Sequence, residues 1–182
     1  MITHLVEKSG FFDTGKIIRA FINQGTSDNL RASFLTISLR IIDLKGKITW
    51  QGDVVFQAES GTGHSITIDG PPDMGGKNKG VRPMELLLLG TAGCSTFDVL
   101  TMLKKGRQDV TDCVCEVDAE RADEIPAVFT KIHLHFVVTG RALKEAQVKR
   151  AVQLSAEKYC SASIMLTAAG VDITHDYEVV EA

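Results

Sequence analysis

The hydrophobic positions of this chain change period as it proceeds. Between residues 45 and 69 they form short β-type runs: Ile48, Trp50, Val54, Val55 and Phe56, then Ile66 and Ile68 alternating with Thr67 and Asp69. Alternation of this kind marks half-buried strands. Gly61-Thr62-Gly63 separates the runs, so the segment predicts a hairpin. From Pro83 the pattern becomes helical. Proline suits a first helical turn, and Gly106 is a stop signal, which predicts a helix over about 83–105. Its apolar residues (Leu86 to Leu89, Phe97, Val99, Leu100, Met102, Leu103) lie almost all round it. A helix without a polar face is expected to be buried, and Gly90, Ala92 and Gly93 would let another backbone come close.

Two strands are predicted next, over 110–120 and 128–139. In the first, Cys113, Cys115, Val117 and Ala119 oppose Val114, Glu116 and Asp118; in the second, Ile132, Leu134 and Phe136 alternate with His133, His135 and Val137. Residues 144–159 carry an apolar stripe of Val148, Ala151 or Val152, Ser155 and Tyr159, the spacing of a second long helix. A short helical piece over 163–169 and a strand over 171–180 follow, with Gly170 between them. This order predicts an α+β fold of antiparallel strands and two helices, the first sandwiched. Residues 1–43 are broken up by Gly10, Gly15, Gly25 and Thr26-Ser27-Asp28-Asn29. A short helix over 16–23 and a strand over 33–42 are the elements they suggest. We treat 1–43 as an N-terminal extension, either partly ordered or pairing with a dimer partner, and 44–182 as the domain.

Composition narrows the classes. A chain of 182 residues can bury a core without covalent staples. Its net charge of -3, with no Lys/Arg-rich run, gives no sign of a nucleic-acid partner. The longest unbroken apolar run, Leu86 to Leu89, is far shorter than the ~18 residues of a membrane span. Glu7 and early glycines break any signal-peptide pattern. The expected location is the cytoplasm, where the four cysteines would be reduced and any disulfide transient. Cys113 and Cys115 form a C-x-C pair without the second pair that a zinc site of recognisable spacing needs, so no metal is expected. The glycines at 75, 76 and 80 accompany Lys77 and Lys79 but lack a GK[ST] ending. No G-x-S-x-G or G-x-G-x-x-G occurs either, so neither a cofactor nor serine-hydrolase chemistry is expected.

Cys94 stands in Thr91-Ala92-Gly93-Cys94-Ser95-Thr96. A free cysteine on an apolar helix is ordinarily a small hydrophobe. Here small neighbours leave space beside the sulfur, and Cys160, at the end of the second helix, is a candidate partner. Reactivity also needs a cation or helix N-terminus to lower a thiol pKa of ~8.5. Arg82 is the candidate cation, yet it lies about three turns upstream, roughly 18 Å at ~1.5 Å per residue. It would need a bend in the chain, or an arginine from a partner would have to serve instead. His64, His133 and His135 read as solvent-facing, since two histidines on one strand face are too few for a closed metal site.

The stretch from Arg82-Pro83-Met84-Glu85 through the leucines to Gly93-Cys94, with Lys158-Tyr159-Cys160, resembles the OsmC/Ohr family. Lys105-Gly106-Arg107-Gln108-Asp109-Val110 and the closing Ile173-Thr174-His175-Asp176-Tyr177-Glu178-Val179-Val180 look most like its YhfA-like branch. The resemblance implies an intertwined homodimer, its antiparallel sheets wrapped round two central helices. It implies an organic hydroperoxide reductase in which Cys94 attacks the peroxide, Cys160 resolves the sulfenic acid, and a dithiol restores both. Two departures stand out. Met84 occupies the position where the family's peroxidases carry a glutamate, with Glu85 one step, about 100°, further round. Residues 45–69 also lack the usual arginine. Arg82 and Glu85 are therefore the candidate supporting residues. The alternative reading is a non-catalytic redox-responsive or ligand-binding dimer.

Overall fold

The computed structural model describes residues 44–182; the elements suggested within residues 1–43 lie outside the described residues. The segment predicted as a hairpin is a three-stranded antiparallel meander: β1 (Gly46–Trp50), β2 (Val55–Ser60) and β3 (Ser65–Asp69). The first apolar run splits because Gly52 (φ 96°) and Asp53 (φ 47°) turn the chain sharply between Trp50 and Val55. The Trp50 indole N–H closes the turn on the Asp53 carbonyl at 2.9 Å. The β2–β3 turn is at Gly61–Gly63, as the sequence indicated, with Gly63 at φ 88°.

Asp69, almost fully buried at the end of β3, organises the loop that follows. Its carboxylate accepts from the backbone N–H groups of Gly70 (2.8 Å), Lys77 (2.9 Å) and Lys79 (2.9 Å). The N–H of Lys79 contributes most to holding its pKa below the ordinary carboxylate value. Glycine is required where the loop folds back on itself. A Cβ at Gly76 would sit 1.8 Å from the Gly70 carbonyl oxygen, and one at Gly80 2.2 Å from that of Thr67. The glycine cluster therefore wraps its amides round an internal anion.

Helix α1 (Pro83–Lys105) starts at the predicted proline and ends beside Gly106. The left-handed residue is Arg107 (φ 54°), whereas Gly106 keeps φ −75°. What glycine avoids at 106 is contact: a Cβ there would lie 3.1 Å from the Gln147 side-chain oxygen. Then come β4 (Asp109–Arg121), β5 (Phe129–Arg141), α2 (Glu145–Leu154), a π turn (Ser155–Tyr159), α3 (Ser161–Ala168) and β6 (Asp172–Glu181). The sheet order is β4-β5-β6. The β4–β5 pair is antiparallel, but β6 runs parallel to β5, with His135 opposite Asp176. Parallel neighbours require a crossover connection, and α2, the π turn and α3 supply it. Because β5 is central, its histidines lie on an open sheet face rather than at an edge.

The core lies between this sheet and the helices. Ile132, Leu134, Phe136 and Val138 of β5 are fully buried against Ala92, Val99 and Leu103 of α1 and Val148, Ala151 and Val152 of α2. Each such side chain contributes about 1.5–3 kcal/mol over its exposed state. The sandwiching expected of α1 holds for one face only. Leu87, Leu89, Leu100 and, at 71%, Phe97 remain exposed, and apart from adjoining residues and the helix's own backbone no atom lies within 4 Å of a Cβ placed at Gly90 or Gly93. By length and composition α1 is also apolar enough to cross a bilayer, contrary to the estimate from its unbroken run. Here its other face is built into the core.

Gly76→Ala should destabilise the protein by about 1–3 kcal/mol, the usual cost of overpacking. The urea midpoint should fall, with unchanged dependence on denaturant. An unshifted midpoint would show that the loop does not need its close approach.

Candidate functional site

The site is built where α1 crosses the end of α2. The crossing is fixed by two buried hydroxyls. Ser155 donates to the Ser95 carbonyl at 3.0 Å, which leaves the Ser95 hydroxyl to donate to the Ser155 oxygen at 2.8 Å. Beyond Ser155 the helix widens. The Cys160 N–H bonds to the Ser155 carbonyl at 2.9 Å, an i→i+5 closure characteristic of a π turn. The chain then leaves the helical region at Cys160 (φ −68°, ψ 105°), which caps α3.

That geometry puts Cys160 in a dry, hydrogen-bonded position. Its sulfur, with no exposed surface, accepts the Ser163 N–H at 3.5 Å and its S–H points to the Thr91 carbonyl at 3.9 Å. Burial pushes its pKa up, and the neighbouring Cys94 adds to this, while Ser163 pulls the other way. A neutral thiol donating and accepting at once fits these contacts. Cys94 is only partly buried and lies one residue before the Ser95 contact. The side chain four residues on, Asp98, shares its helix face. One carboxylate oxygen of Asp98 and the sulfurs of Cys94 and Cys160 all lie within 4.8 Å of one another. Forming an S–S bond of ~2.05 Å would require the two sulfurs to approach further.

Arg82 and Glu85 lie at the start of α1, some three turns from Cys94. The Glu85 carboxylate accepts the Arg82 backbone N–H at 2.9 Å, so it caps the helix. The Arg82 guanidinium makes no hydrogen bond or ion pair among the described residues. The charged side chain beside the sulfurs is Asp98, which sequence reasoning missed. Its spacing from Cys94 is the one available signal: residues four apart on a helix share a face.

The other two cysteines are half-buried on the inner face of β4. Burial raises both thiols, that of Cys113 to about 11, with Cys115 and Asp112 adding to the effect on Cys113. Both are protonated at neutral pH and poor nucleophiles. His64 is exposed beside the β2–β3 turn. His133 and His135 share the outer face of β5, and both reach Asp176 across the parallel register. His133 also bonds Thr174 at 2.8 Å. A groove of about 470 Å³ between α2 and β6, lined by Glu145, Lys149, His175 and Tyr177 among others, contains no cysteine.

Comparison with known proteins identifies the family and the fold. A family model described as OsmC-like protein matches residues 76–176. The chain is 50% identical over 139 residues to Protein YhfA of Escherichia coli K12, covering 76% of this chain and all of that one. Among solved structures, an OsmC-like protein from Mycoplasma pneumoniae superposes with a TM-score of 0.65 at 20% identity, over 76% of this chain and 97% of that one. An organic hydroperoxide resistance protein OsmC, described also as a predicted redox protein, from Legionella pneumophila superposes with a TM-score of 0.60 at 17% identity. That match covers 77% of this chain and 99% of that one.

The Asp176 hydrogen bond raises His135 above its ordinary 6.5, while His135 lowers Asp176 below 3.8. The Asp176 contribution to stability is present above about 3.8 and lost as pH falls through its folded value. The His135 contribution is complete below about 6.5 and lost as pH rises through its folded value. Asp176→Asn should therefore destabilise most between roughly pH 4 and 6.5. It should also return the His135 NMR titration toward 6.5, and an unmoved titration would refute the pairing.

Proposed function

The chain belongs to the OsmC-like family, and from that membership we propose that it is a thiol-dependent peroxidase for organic hydroperoxides. The observation that carries this reading is the convergence of Cys94 and Cys160 sulfurs within 4.8 Å, one partly open and one buried. In this scheme the Cys94 thiolate attacks the O–O bond of ROOH, giving Cys94–SOH and, with one proton, ROH. The Cys160 thiol then condenses with the sulfenic acid, forming the disulfide and releasing water. A dithiol reduces the disulfide by exchange and restores both thiols. Partial exposure suits the cysteine that must meet substrate; burial and a raised pKa suit one that waits, protonated, to resolve. A reducing cytoplasm would supply the dithiol.

The working unit in this reading is a homodimer. The stripe Leu89, Gly90, Gly93, Phe97 and Leu100 runs along the uncovered face of α1, and its two glycines permit close helix approach. The first sheet exposes Ile48 and Trp50 and packs little on the rest of the domain. Two copies could cover both surfaces and give an alkyl substrate an apolar wall beside Cys94. Arg82 and Glu85 support catalysis in this scheme only across such an interface.

A second reading, a redox-responsive or ligand-binding dimer with little turnover, is favoured by Met84, which stands where the family's peroxidases carry a glutamate, while Glu85 is engaged in capping the helix.

Steady-state turnover of cumene hydroperoxide with dihydrolipoamide separates the two. The peroxidase reading expects sustained turnover that Cys94→Ser abolishes, and a single stoichiometric oxidation in Cys160→Ser. Activity surviving in Cys94→Ser would overturn it, and slow thiol loss without turnover would support the second reading. For the interface, Phe97→Glu should shift the protein from dimer to monomer in light scattering; an unchanged mass would refute the α1 contact.

A further inference from the structure

We propose that the reduced Cys94–Asp98–Cys160 cluster is also a binding site for a thiophilic divalent cation, zinc by its ligand chemistry. Three donor atoms converge there from two elements, all within 4.8 Å. Tetrahedral zinc, with Zn–S near ~2.3 Å and Zn–O near ~2.1 Å, needs donors roughly 3.5–3.8 Å apart. The cluster needs to close by at most about 1.3 Å to meet this geometry.

A second observation points to a cation. Asp98 is a half-buried carboxylate with neither a hydrogen bond nor an ion pair among the described residues. Cys160 is fully buried beside it. Two thiols and an unpaired carboxylate in one pocket leave a deficit of positive charge that Arg82, three turns away, does not fill. A metal ion deprotonates coordinated thiols outright, and soft sulfur donors select zinc over magnesium or calcium. With three protein ligands, the fourth position is left to water, as in open rather than closed zinc sites. The Ser163 N–H already donates to the Cys160 sulfur, an outer contact that would steady the ligand.

Binding releases two protons, one from each thiol. Oxidation empties the site. The bis-thiolate complex, one ROOH and two protons yield the Cys94–Cys160 disulfide, free Zn²⁺, ROH and water, with the two electrons passing from sulfur to the peroxide. Metal binding stands independently of the peroxidase reading, whereas release by hydroperoxide rests on it. The cluster would hold metal when reduced and lose it when oxidised.

The test uses the full-length reduced protein, titrated with Co²⁺ and then with Zn²⁺ against a chromophoric chelator. One Co²⁺ per chain should bind, with a sulfur-to-cobalt charge-transfer band that Zn²⁺ displaces. Cys94→Ser and Cys160→Ser should each remove the band. Losing even an outer contact costs metal affinity roughly 10–100-fold, so Asp98→Asn should weaken Zn²⁺ binding by at least about tenfold. The double variant Cys113→Ser/Cys115→Ser should bind as the parent does. No stoichiometric binding, or equal affinity in Asp98→Asn, would overturn the proposal. Loss of binding in the Cys113/Cys115 variant would do so too. Stoichiometric Zn²⁺ release by cumene hydroperoxide is the separate arm. Failure of that arm with intact metal binding would count against the peroxidase reading and leave the site standing.

Discussion

The contact between Ser95 and Ser155 is the constraint on which the site depends. Both hydroxyls are fully buried, and each satisfies the other. Removing the Ser155 hydroxyl would leave that of Ser95 without its partner at a cost of about 1–3 kcal/mol, whereas Ser155 without the Ser95 hydroxyl would keep its bond to the Ser95 carbonyl. The pair fixes both the depth and the rotation of α2 against α1. Cys94 precedes one serine by a single residue and Cys160 follows the other by one wide turn, so their approach is set by this crossing. The cysteines need no bond between them to stay close.

Much of this was legible in the sequence because it rests on local patterns. The start of α1 at Pro83, its end near Gly106, and the inward faces of β4 and β5 all follow from periodicity and capping. The features that were not legible depend on events between distant residues. The split of the first strand run hinges on Gly52 and Asp53 adopting positive φ, which an otherwise apolar run conceals. The parallel pairing of β6 with β5 is a property of the crossover, and β6 itself alternates as an antiparallel strand would. The glycine-rich loop, set aside as a phosphate cradle for want of a GK[ST] ending, does wrap an anion, and that anion is Asp69 from the preceding strand. The cysteine pair was a candidate from position on the two helices, and family resemblance gave its members their roles. Its third member, Asp98, escaped because ligand-spacing rules look for donors close in sequence, and Cys160 joins this cluster from another element.

The electrostatics of the site follow from which charges are already committed. Glu85 serves the helix N-terminus, Asp69 the loop, and Asp176 the two histidines of β5. Asp98 is left over, facing two sulfurs on a helix whose other side is uncovered and apolar. A site so placed is half enclosed by its own chain, and it depends on its surroundings for the charge that would activate it.

The wide turn between Ser155 and Cys160 has a consequence for how this site can change over evolutionary time. An ordinary helical turn would use one residue fewer. Deleting a single residue there would let α2 continue smoothly. It would also rotate Cys160 by about 100°, carrying its sulfur off the face that meets Cys94. The partnership of the two thiols is therefore written partly as a residue count. Point substitutions at the exposed Glu157, Lys158 and Tyr159 can be absorbed, whereas a one-residue shift in length would disconnect the pair with both cysteines still present.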